Sequence, residues 1–202
     1  MSGNLGRFEE PLLMTTARRS SVLALLLLSR LASAAVADEP EPRRYRMGFT
    51  PFPYDATLEA VVGTWQFVKT HGDIIAFHIE GVPWAECLEG NPFNPELVRD
   101  WEGQKHAIPE GGKVYLAISP GRGTLKEGEK SQPIPETLRD RPYDDPMVKR
   151  AYLAFCRRMV EFFRPDYLAI GIEVNEIRQA GPDPWRAYAT LHRHVYEALK
   201  KD

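Results

Sequence analysis

The sequence predicts an α/β fold of parallel strands, because strand-like and helix-like patterns alternate along the chain. Alternation of bulky apolar residues with small or polar ones, the period of a strand, occurs over 46–50, 73–80, 113–119 and 167–176. Apolar residues at three- and four-residue spacing predict helices over 57–71, 95–106, 145–163 and 184–200. Right-handed β-α-β connections would place all four strands in one parallel sheet.

Local boundary signals support these elements in order. Gly72 stops the first helix, whose apolar stripe includes Trp65 as a core residue. Asn94 is a cap for the second helix, with Pro95 at its first position. The long glycine- and proline-containing loop over 120–143 is of a length typical of functional or mobile segments. Trp185, at the start of the last helix, is also predicted to be core.

One face of each predicted strand carries a very small residue and then a polar one. These pairs are Gly48 and Thr50, Ala76 and His78, Ala117 and Ser119, and Gly171 and Glu173. The interior of a TIM-type barrel needs small residues deep inside and polar ones at the mouth, whereas a doubly wound sheet needs large apolar residues on both faces. We therefore expect parallel β/α units of a TIM-type barrel. The domain over 46–202 is shorter than the roughly 250 residues of a full barrel, which predicts an incomplete, half barrel.

The N-terminal segment is predicted to be a signal peptide over 1–37, with a charged linker over 38–45. Arg18 and Arg19 precede a short apolar run, and Ala35-Val-Ala37 offers a small-residue cleavage site. The run is too short to span a bilayer, so no membrane attachment is expected after cleavage. Residues 1–13 do not resemble a signal peptide, which makes Met14 an alternative start. This predicts a secreted or periplasmic protein.

Composition argues against several other classes of protein. The chain has 26 basic and 28 acidic residues with no long basic run, so no nucleic-acid partner is expected. No metal-binding spacing and no phosphate-binding glycine loop is present, so neither metal nor cofactor is predicted. Cys87, in a predicted loop, and Cys156, in a predicted helix, are expected to be unpaired thiols.

Asn175 and Glu176 end the fourth predicted strand, where catalytic residues of barrels lie. Glycoside hydrolysis needs one carboxyl group to protonate the leaving oxygen and another to attack or to activate water. Glu176 is our candidate acid, with Asn175 as a contact to a neighbouring sugar hydroxyl. The alternative is that Glu176 caps the following segment and Asn175 makes a turn.

Further candidates lie at the same predicted mouth. His78 and Glu80 share a face and would bind sugar hydroxyls or orient Glu173, or else form a buried polar layer. Phe52 and Trp84 follow strands and would stack on sugar rings, or else pack their loops. A different barrel enzyme, with His78 and Glu173 as a proton-transfer pair, is a third alternative.

The segment Ile170-Gly-Ile-Glu-Val-Asn-Glu-Ile177 resembles the fourth-strand motif of retaining glycoside hydrolases of clan A, which are (β/α)8 barrels. Within the clan it is most similar to the endo-β-1,4-galactanases. The resemblance implies that Glu176 is the acid/base and that Asn175 contacts the 2-hydroxyl. The third strand ends Ala117-Ile-Ser-Pro-Gly121, without the Asp and His expected of a galactanase. The clan's nucleophile, a Glu on the seventh strand, has no counterpart among four strands.

These observations predict a glycoside-hydrolase-like domain related to retaining endo-glycosidases of β-linked polysaccharides, inactive without its second carboxylate. The alternative is a non-catalytic carbohydrate-binding or interaction protein. An open half barrel would expose two sheet edges and an apolar interior. That liability predicts either a homodimer that closes a pseudo-barrel or an incomplete gene product.

Overall fold

A computed structural model of the protein describes residues 44–121 and 134–201. A compact unit over Tyr45–Asp202 contains a four-stranded, all-parallel sheet and, within the described residues, six α-helices, so the predicted α/β class is confirmed. The predicted signal peptide, the alternative start at Met14, nearly all of the linker and half of the 120–143 loop lie outside the described residues.

The elements follow one another as alternating strands and helices. The strands are β1 (Gly48–Phe49), β2 (Ile74–Ile79), β3 (Lys113–Ile118) and β4 (Tyr167–Ala169). The helices are α1 (Leu58–His71), α2 (Trp84–Glu89), α3 (Pro95–His106), α4 (Pro146–Phe163), α5 (Val174–Gln179) and α6 (Pro182–Leu199), and a 3-10 turn spans Glu136–Leu138.

The sheet has the strand order β1-β2-β3-β4, so each strand pairs with the next one along the chain. All three pairings are parallel. The register sets Ile75 beside Val114 and His78 beside Ala117, which in turn faces Ala169. Consecutive strands therefore step in one direction across the sheet, and β1 and β4 form its two edges.

The two faces of the sheet differ in burial. The bulky apolar residues predicted to face the helices are buried: Ile75, Phe77, Ile79, Val114, Leu116, Ile118 and Ile170. On the other face, Ala76, His78, Tyr115 and Ala169 are half-exposed, while Ala117 between them is buried. We call this second face the open face. The predicted division into two faces is confirmed for β2 and for most of β3, whereas the edge strands β1 and β4 contain no buried residue.

Helix α4 is the centre of the helical layer. Phe163 at its end lies 5.5 Å from the ring of Phe77 on β2. Trp84 of α2 stacks on Tyr152 at 6.0 Å, and Trp101 of α3 lies 6.4 Å from Phe155. Seven residues of α4 are buried, as expected of a helix that packs on the sheet and on its neighbours.

Side-chain caps fix the starts of three helices. Thr57 accepts a hydrogen bond from the backbone of Ala60 at 3.2 Å, and Asn94 accepts one from Glu96 at 2.8 Å. Asp145 accepts one from Met147 at 2.7 Å. Each cap satisfies a backbone N–H that the first helical turn leaves without an intrahelical partner. The first three predicted helices were therefore placed to within one residue at each end.

The predicted fourth strand over 167–176 is wrong beyond Ala169. Glu173 has a left-handed backbone with φ 56°, which ends the extended conformation, and helix α5 begins at Val174. Ile177 is fully buried, so the apolar residues that follow Glu173 keep helical spacing. A second correction concerns Cys87, which lies on α2 rather than in a loop.

Both cysteines are unpaired, as predicted, and both are buried. Burial raises the pKa of Cys87 to about 12, and it also raises that of Cys156. Among the described helices none is long and apolar enough to cross a membrane.

Candidate functional site

The backbone ladder continues beyond the last strand residues and aligns the segments that follow them. Ser119 donates its backbone N–H to the carbonyl of Ile79 at 3.1 Å, and Ile172 donates to Ile118 at 3.1 Å. Glu80, Ser119 and Glu173 therefore lie side by side where neighbouring strands reach their carboxyl ends. This carboxyl-terminal edge of the sheet is distinct from its edge strands, β1 and β4. In parallel α/β sheets this edge is the usual place of ligand sites.

His78 and Phe52 are in direct contact at this edge. Their rings meet edge to face with centroids 5.5 Å apart at 83°. His78 is half-buried on the open face, and Phe52, in the segment after β1, remains 61% exposed. The pair therefore offers a ring with a free surface beside a polar imidazole.

The remaining predicted polar residues at this edge are accessible. Thr50 and Glu80 are exposed, and Ser119 is half-buried. The hydroxyl of Ser119 accepts a hydrogen bond from the backbone of Gly121 at 3.3 Å, which holds the start of the loop that follows β3. Hydroxyl, carboxylate and imidazole groups thus line the ends of β1, β2 and β3.

The turn from β4 into α5 has a constrained backbone. The hydroxyl of Tyr152 donates a hydrogen bond to the carbonyl of Ile170 at 2.9 Å. Gly171 lies directly against Tyr188, because a Cβ at position 171 would overlap the Tyr188 hydroxyl. Two residues later Glu173 is exposed and holds its left-handed conformation. A non-glycine residue in this conformation is strained by about 1–2 kcal/mol.

Asn175 and Glu176 lie in the first turn of α5 rather than at the end of a strand. The backbone N–H of Glu176 donates to the carbonyl of Glu173 at 3.0 Å. Asn175 is exposed, whereas Glu176 is half-buried with its Oε2 atom enclosed. Glu173 thus follows Ile172, the last residue that bonds to β3, and Glu176 lies three residues later inside the helical turn.

Trp84 does not lie at the strand ends. It is buried on α2 and stacks on Tyr152, so the indole fills the core beneath the helices. Its position therefore agrees with the alternative that Trp84 packs against the protein rather than stacking on a sugar ring. By contrast, Trp185, predicted to be core, is only half-buried and lines a groove beside α6.

Three tyrosines that hold this edge were not predicted from the sequence. Besides Tyr152, the hydroxyl of Tyr143 donates to the carbonyl of Pro120 at 3.3 Å, and Tyr188 supports Gly171. Burial raises the pKa of Tyr188 to about 12 and that of Tyr152 well above its ordinary value. These hydroxyls therefore stay protonated at neutral pH. For Tyr152 and Tyr188 the available signal was a tyrosine on an otherwise apolar helix stripe, since a buried hydroxyl needs a partner.

Neither a search for metal-binding groups nor comparison with known proteins assigns a function to this site. Within residues 44–121 and 134–201 no group of three or more His, Cys, Asp or Glu side chains is arranged to hold a metal ion. A scan against protein-family models and searches among curated proteins and solved structures gave no match to this chain.

Proposed function

We propose that the protein is a glycoside-hydrolase-like domain that binds a β-linked oligosaccharide at the carboxyl ends of its four strands. The observation that carries this proposal is the strand order 1-2-3-4 with one buried face and one open face. A doubly wound sheet reverses its strand order and covers both faces, whereas each half of a barrel steps in one direction. The arrangement therefore favours half of a (β/α) barrel.

The chemistry of the strand ends suits a sugar. Sugars are bound by hydrogen bonds to their hydroxyls and by apolar contact of a ring face with an aromatic side chain. Glu80 and His78 supply the polar groups, and the exposed ring of Phe52 supplies the platform. Tyrosine hydroxyls anchor the neighbouring backbone after β3 at Pro120 and after β4 at Ile170.

In this proposal Glu176 is the acid that protonates the glycosidic oxygen, and Asn175 contacts the adjacent hydroxyl. A retaining reaction also needs a carboxylate about 5 Å from the acid to attack the sugar carbon. The resemblance assigns that nucleophile to a seventh strand, and the described sheet has four. We therefore expect the isolated chain to bind oligosaccharide without turning it over.

The test is binding of a panel of β-linked oligosaccharides (galactan, cellulose, xylan and mannan fragments) by isothermal titration calorimetry. Phe52→Ala and His78→Ala should each weaken binding by about tenfold, because each removes a contact worth about 1–1.5 kcal/mol. Asn175→Ala should have a similar effect. Glu110→Gln, an exposed carboxylate in the turn before the amino end of β3, is the matched control and should bind as the wild type does.

Two outcomes would contradict the proposal. One is the absence of binding to every oligosaccharide of the panel. The other is binding that Phe52→Ala, His78→Ala and Asn175→Ala all leave unchanged, since the sugar would then lie elsewhere.

The second candidate function is a non-catalytic carbohydrate-binding or interaction protein. It is favoured by the half-buried position of Glu176 inside a helical turn, which limits access of a leaving oxygen to the carboxyl group. Product analysis after prolonged incubation tests the acid role of Glu176. Slow hydrolysis that disappears in Glu176→Gln would support that role and exclude the second candidate, whereas binding without any product is the result expected of both candidates.

Export of the protein is also a proposal, since it rests on residues 1–37. Sequencing the N-terminus of protein recovered from the medium or periplasm tests it. A mature chain that begins at Asp38 would support cleavage after Ala37.

A further inference from the structure

The exposed large apolar side chains are confined to the first and last β/α units of the described chain. The first unit, 45–71, and the last, 167–199, include all of them: Tyr45, Phe52, Tyr54, Leu58, Val62, Phe67, Tyr167 and Tyr196. The described residues between these two units, which include the hydrophobic centre of the helical layer, expose none. Such a distribution marks surfaces that are covered by a partner rather than a generally apolar exterior.

Helix α1 is poorly covered for its composition. Half of its fourteen residues are apolar, yet only Ala60 and Val68 are buried. Leu58 is 79% and Val62 48% exposed. We call the exposed side of α1 around Val62 the α1 surface. Helix α1 itself lies beside β1, since Phe67 contacts Phe49 with ring centroids 5.2 Å apart.

The last unit presents a second surface, which we call the α6 surface. A groove of about 500 Å³ runs along it between the end of β4 and α6, lined by Gly171, Val174, Trp185, Tyr188, His192 and Tyr196. Rings three or four residues apart contact one another, with centroids 5.8, 5.9 and 6.4 Å apart. The groove therefore presents a continuous strip of rings along α6, beside the segment that follows β4.

The two sheet edges are complementary in direction. Among residues 44–121 and 134–201, β1 pairs only with β2 and β4 only with β3, and all strands are parallel. A rotation of 180° about an axis along the strands therefore brings β4 of one copy beside β1 of another, and the same operation brings their other edges together. Closed twofold symmetry makes this contact twice and leaves no edge free.

In that arrangement α6 of one copy and α1 of the other run side by side and parallel. At the amino-terminal end, Arg186 of α6 is ion-paired with Asp183 of its own helix. At the carboxyl-terminal end, the last turn of α1 carries Lys69 and that of α6 carries Glu197, so these two opposite charges would meet there.

We propose that two copies of the chain associate through these surfaces, with β4 and α6 of each copy packed against β1 and α1 of the other. The pair forms a closed ring of eight parallel strands. The α6 surface of one copy covers the α1 surface of its partner, and the side chains on these two surfaces become core. This association does not rest on the sugar-binding function, because none of the residues assigned to the sugar lies on the α1 surface or the α6 surface.

The test is the mass of the full chain in solution, measured by light scattering after size exclusion and by sedimentation equilibrium. The wild type should have twice the mass of the chain. Val62→Lys on the α1 surface and Tyr196→Glu on the α6 surface should each raise the dimer dissociation constant by about tenfold or more. Both side chains are about half exposed in the single chain, so folding, followed by circular dichroism, should be unchanged.

Mixing the two variants distinguishes this contact from any other twofold contact. In a mixed pair, one of the two contacts is wild type on both sides, and both changes lie in the other contact. The mixture should therefore regain the dimer that each variant has lost. Gly103→Glu and Gly103→Lys, at an exposed position of α3 where a side chain meets nothing, are the matched controls and should remain dimeric.

Three results would overturn the proposal. A monomeric wild type would show that another occupant, a further polypeptide segment or a different protein, covers the two surfaces. A dimer that both variants leave intact would place the contact elsewhere. Variants that lose the dimer and do not complement each other would indicate a contact of one surface with itself.

Discussion

Individual residues set the geometry of the turn from β4 into α5. Gly171 leaves room for the Tyr188 hydroxyl, and Glu173 turns the chain through the left-handed region so that α5 can begin. Neither the close approach at Gly171 nor the left-handed conformation of Glu173 can be predicted from the residue type alone. Both are positions where the backbone tolerates a narrow range of side chains, and both lie at the edge where we place the sugar.

Gly171→Ala is expected to destabilise the protein by about 1–3 kcal/mol, because the new methyl group overlaps the buried Tyr188 hydroxyl. Urea denaturation measures the loss. Combining the change with Tyr188→Phe removes the overlapping oxygen, so the double variant should cost less than the sum of the single ones. Gly103→Ala, where a Cβ meets nothing, should instead be neutral or stabilising by up to about 1 kcal/mol.

Glu173→Gly is expected to be about 1 kcal/mol more stable than Glu173→Ala, because only glycine adopts the left-handed conformation without strain. Thermal unfolding of the two variants side by side gives the difference. Equal stabilities would mean that the turn relaxes when the glutamate is replaced. If Glu173 contacts sugar, both variants should also bind oligosaccharide more weakly than the wild type.

At the scale of elements, two aspartates clamp the amino ends of the strands. Asp73, just before β2, accepts from the backbone of Met47 at 2.7 Å, and Asp166, just before β4, accepts from that of Val114 at 2.9 Å. Asp166 also accepts from Lys113 at 2.6 Å. The same device thus ties β1 to β2 and β3 to β4, at the edge opposite to the candidate site.

Asp166 gives a pH-dependent contribution to stability. The side-chain hydrogen bond from Lys113, together with that from the Val114 backbone, lowers the pKa of the Asp166 carboxyl below its ordinary value. A lowered pKa in the folded protein stabilises the fold above the unfolded pKa of about 3.9, and this stabilisation is lost as pH falls through the folded value. Asp166→Asn should therefore be less stable than the wild type at pH 7, with the difference closing below about pH 4.

Urea unfolding from pH 3 to pH 7 measures this difference. Asp100→Asn, an exposed aspartate of α3, is the control for loss of one negative charge. A constant difference between wild type and Asp166→Asn across the whole range would show that the carboxylate charge is not responsible.

At the scale of the molecule, the core is complete in the middle of the sheet and open at both ends. The apolar side chains of β2, β3 and α4 that face the helical layer are buried, whereas α1 and α6 leave apolar rings and aliphatic groups in solvent. An open sheet has two edges, and α1 and α6 belong to the units of the two edge strands. These are the surfaces that the inferred association would cover.

The two cysteines report on the stability of that core. Because burial raises the pKa of Cys87 to about 12, its thiolate is scarce at pH 8, and Cys156 is equally enclosed. Alkylation by iodoacetamide should be slower than for a free thiol by about a thousandfold or more in the native protein. Mass spectrometry should find both thiols modified together upon global unfolding. Rapid native labelling of Cys87 alone would instead show that α2 opens locally.

Particular segments show which helices and strands could be predicted from the sequence. The helices that begin after Thr57, Asn94 and Asp145 were predicted closely, because a cap and an apolar stripe are signals contained in neighbouring residues. The segment over 170–177 was predicted as strand, because Ile170, Ile172 and Val174 alternate as a strand would. The left-handed Glu173 that ends this pattern carries no signal of its own.

The candidate site was predicted in part for the same reason. His78, Glu80 and Phe52 lie at the strand ends because their place follows from the strands that precede them. Trp84 is not exposed at the strand ends. It lies on a helix of six residues, which is too short to show a clear helical period, and its side chain is buried in the core. The tyrosine hydroxyls at Pro120 and Ile170 come from segments distant in the chain, so only the folded protein brings them there.

By itself, the sequence determined the α/β class, the parallel sheet and the division of each strand into a bulky and a small face, since these depend on periods of two and 3.6 residues. Tertiary structure decided where β4 ends, that Glu176 lies in a helical turn, and that the exposed apolar residues gather at the two sheet edges. These depend on which distant groups meet, because burial and backbone strain are properties of the packed chain.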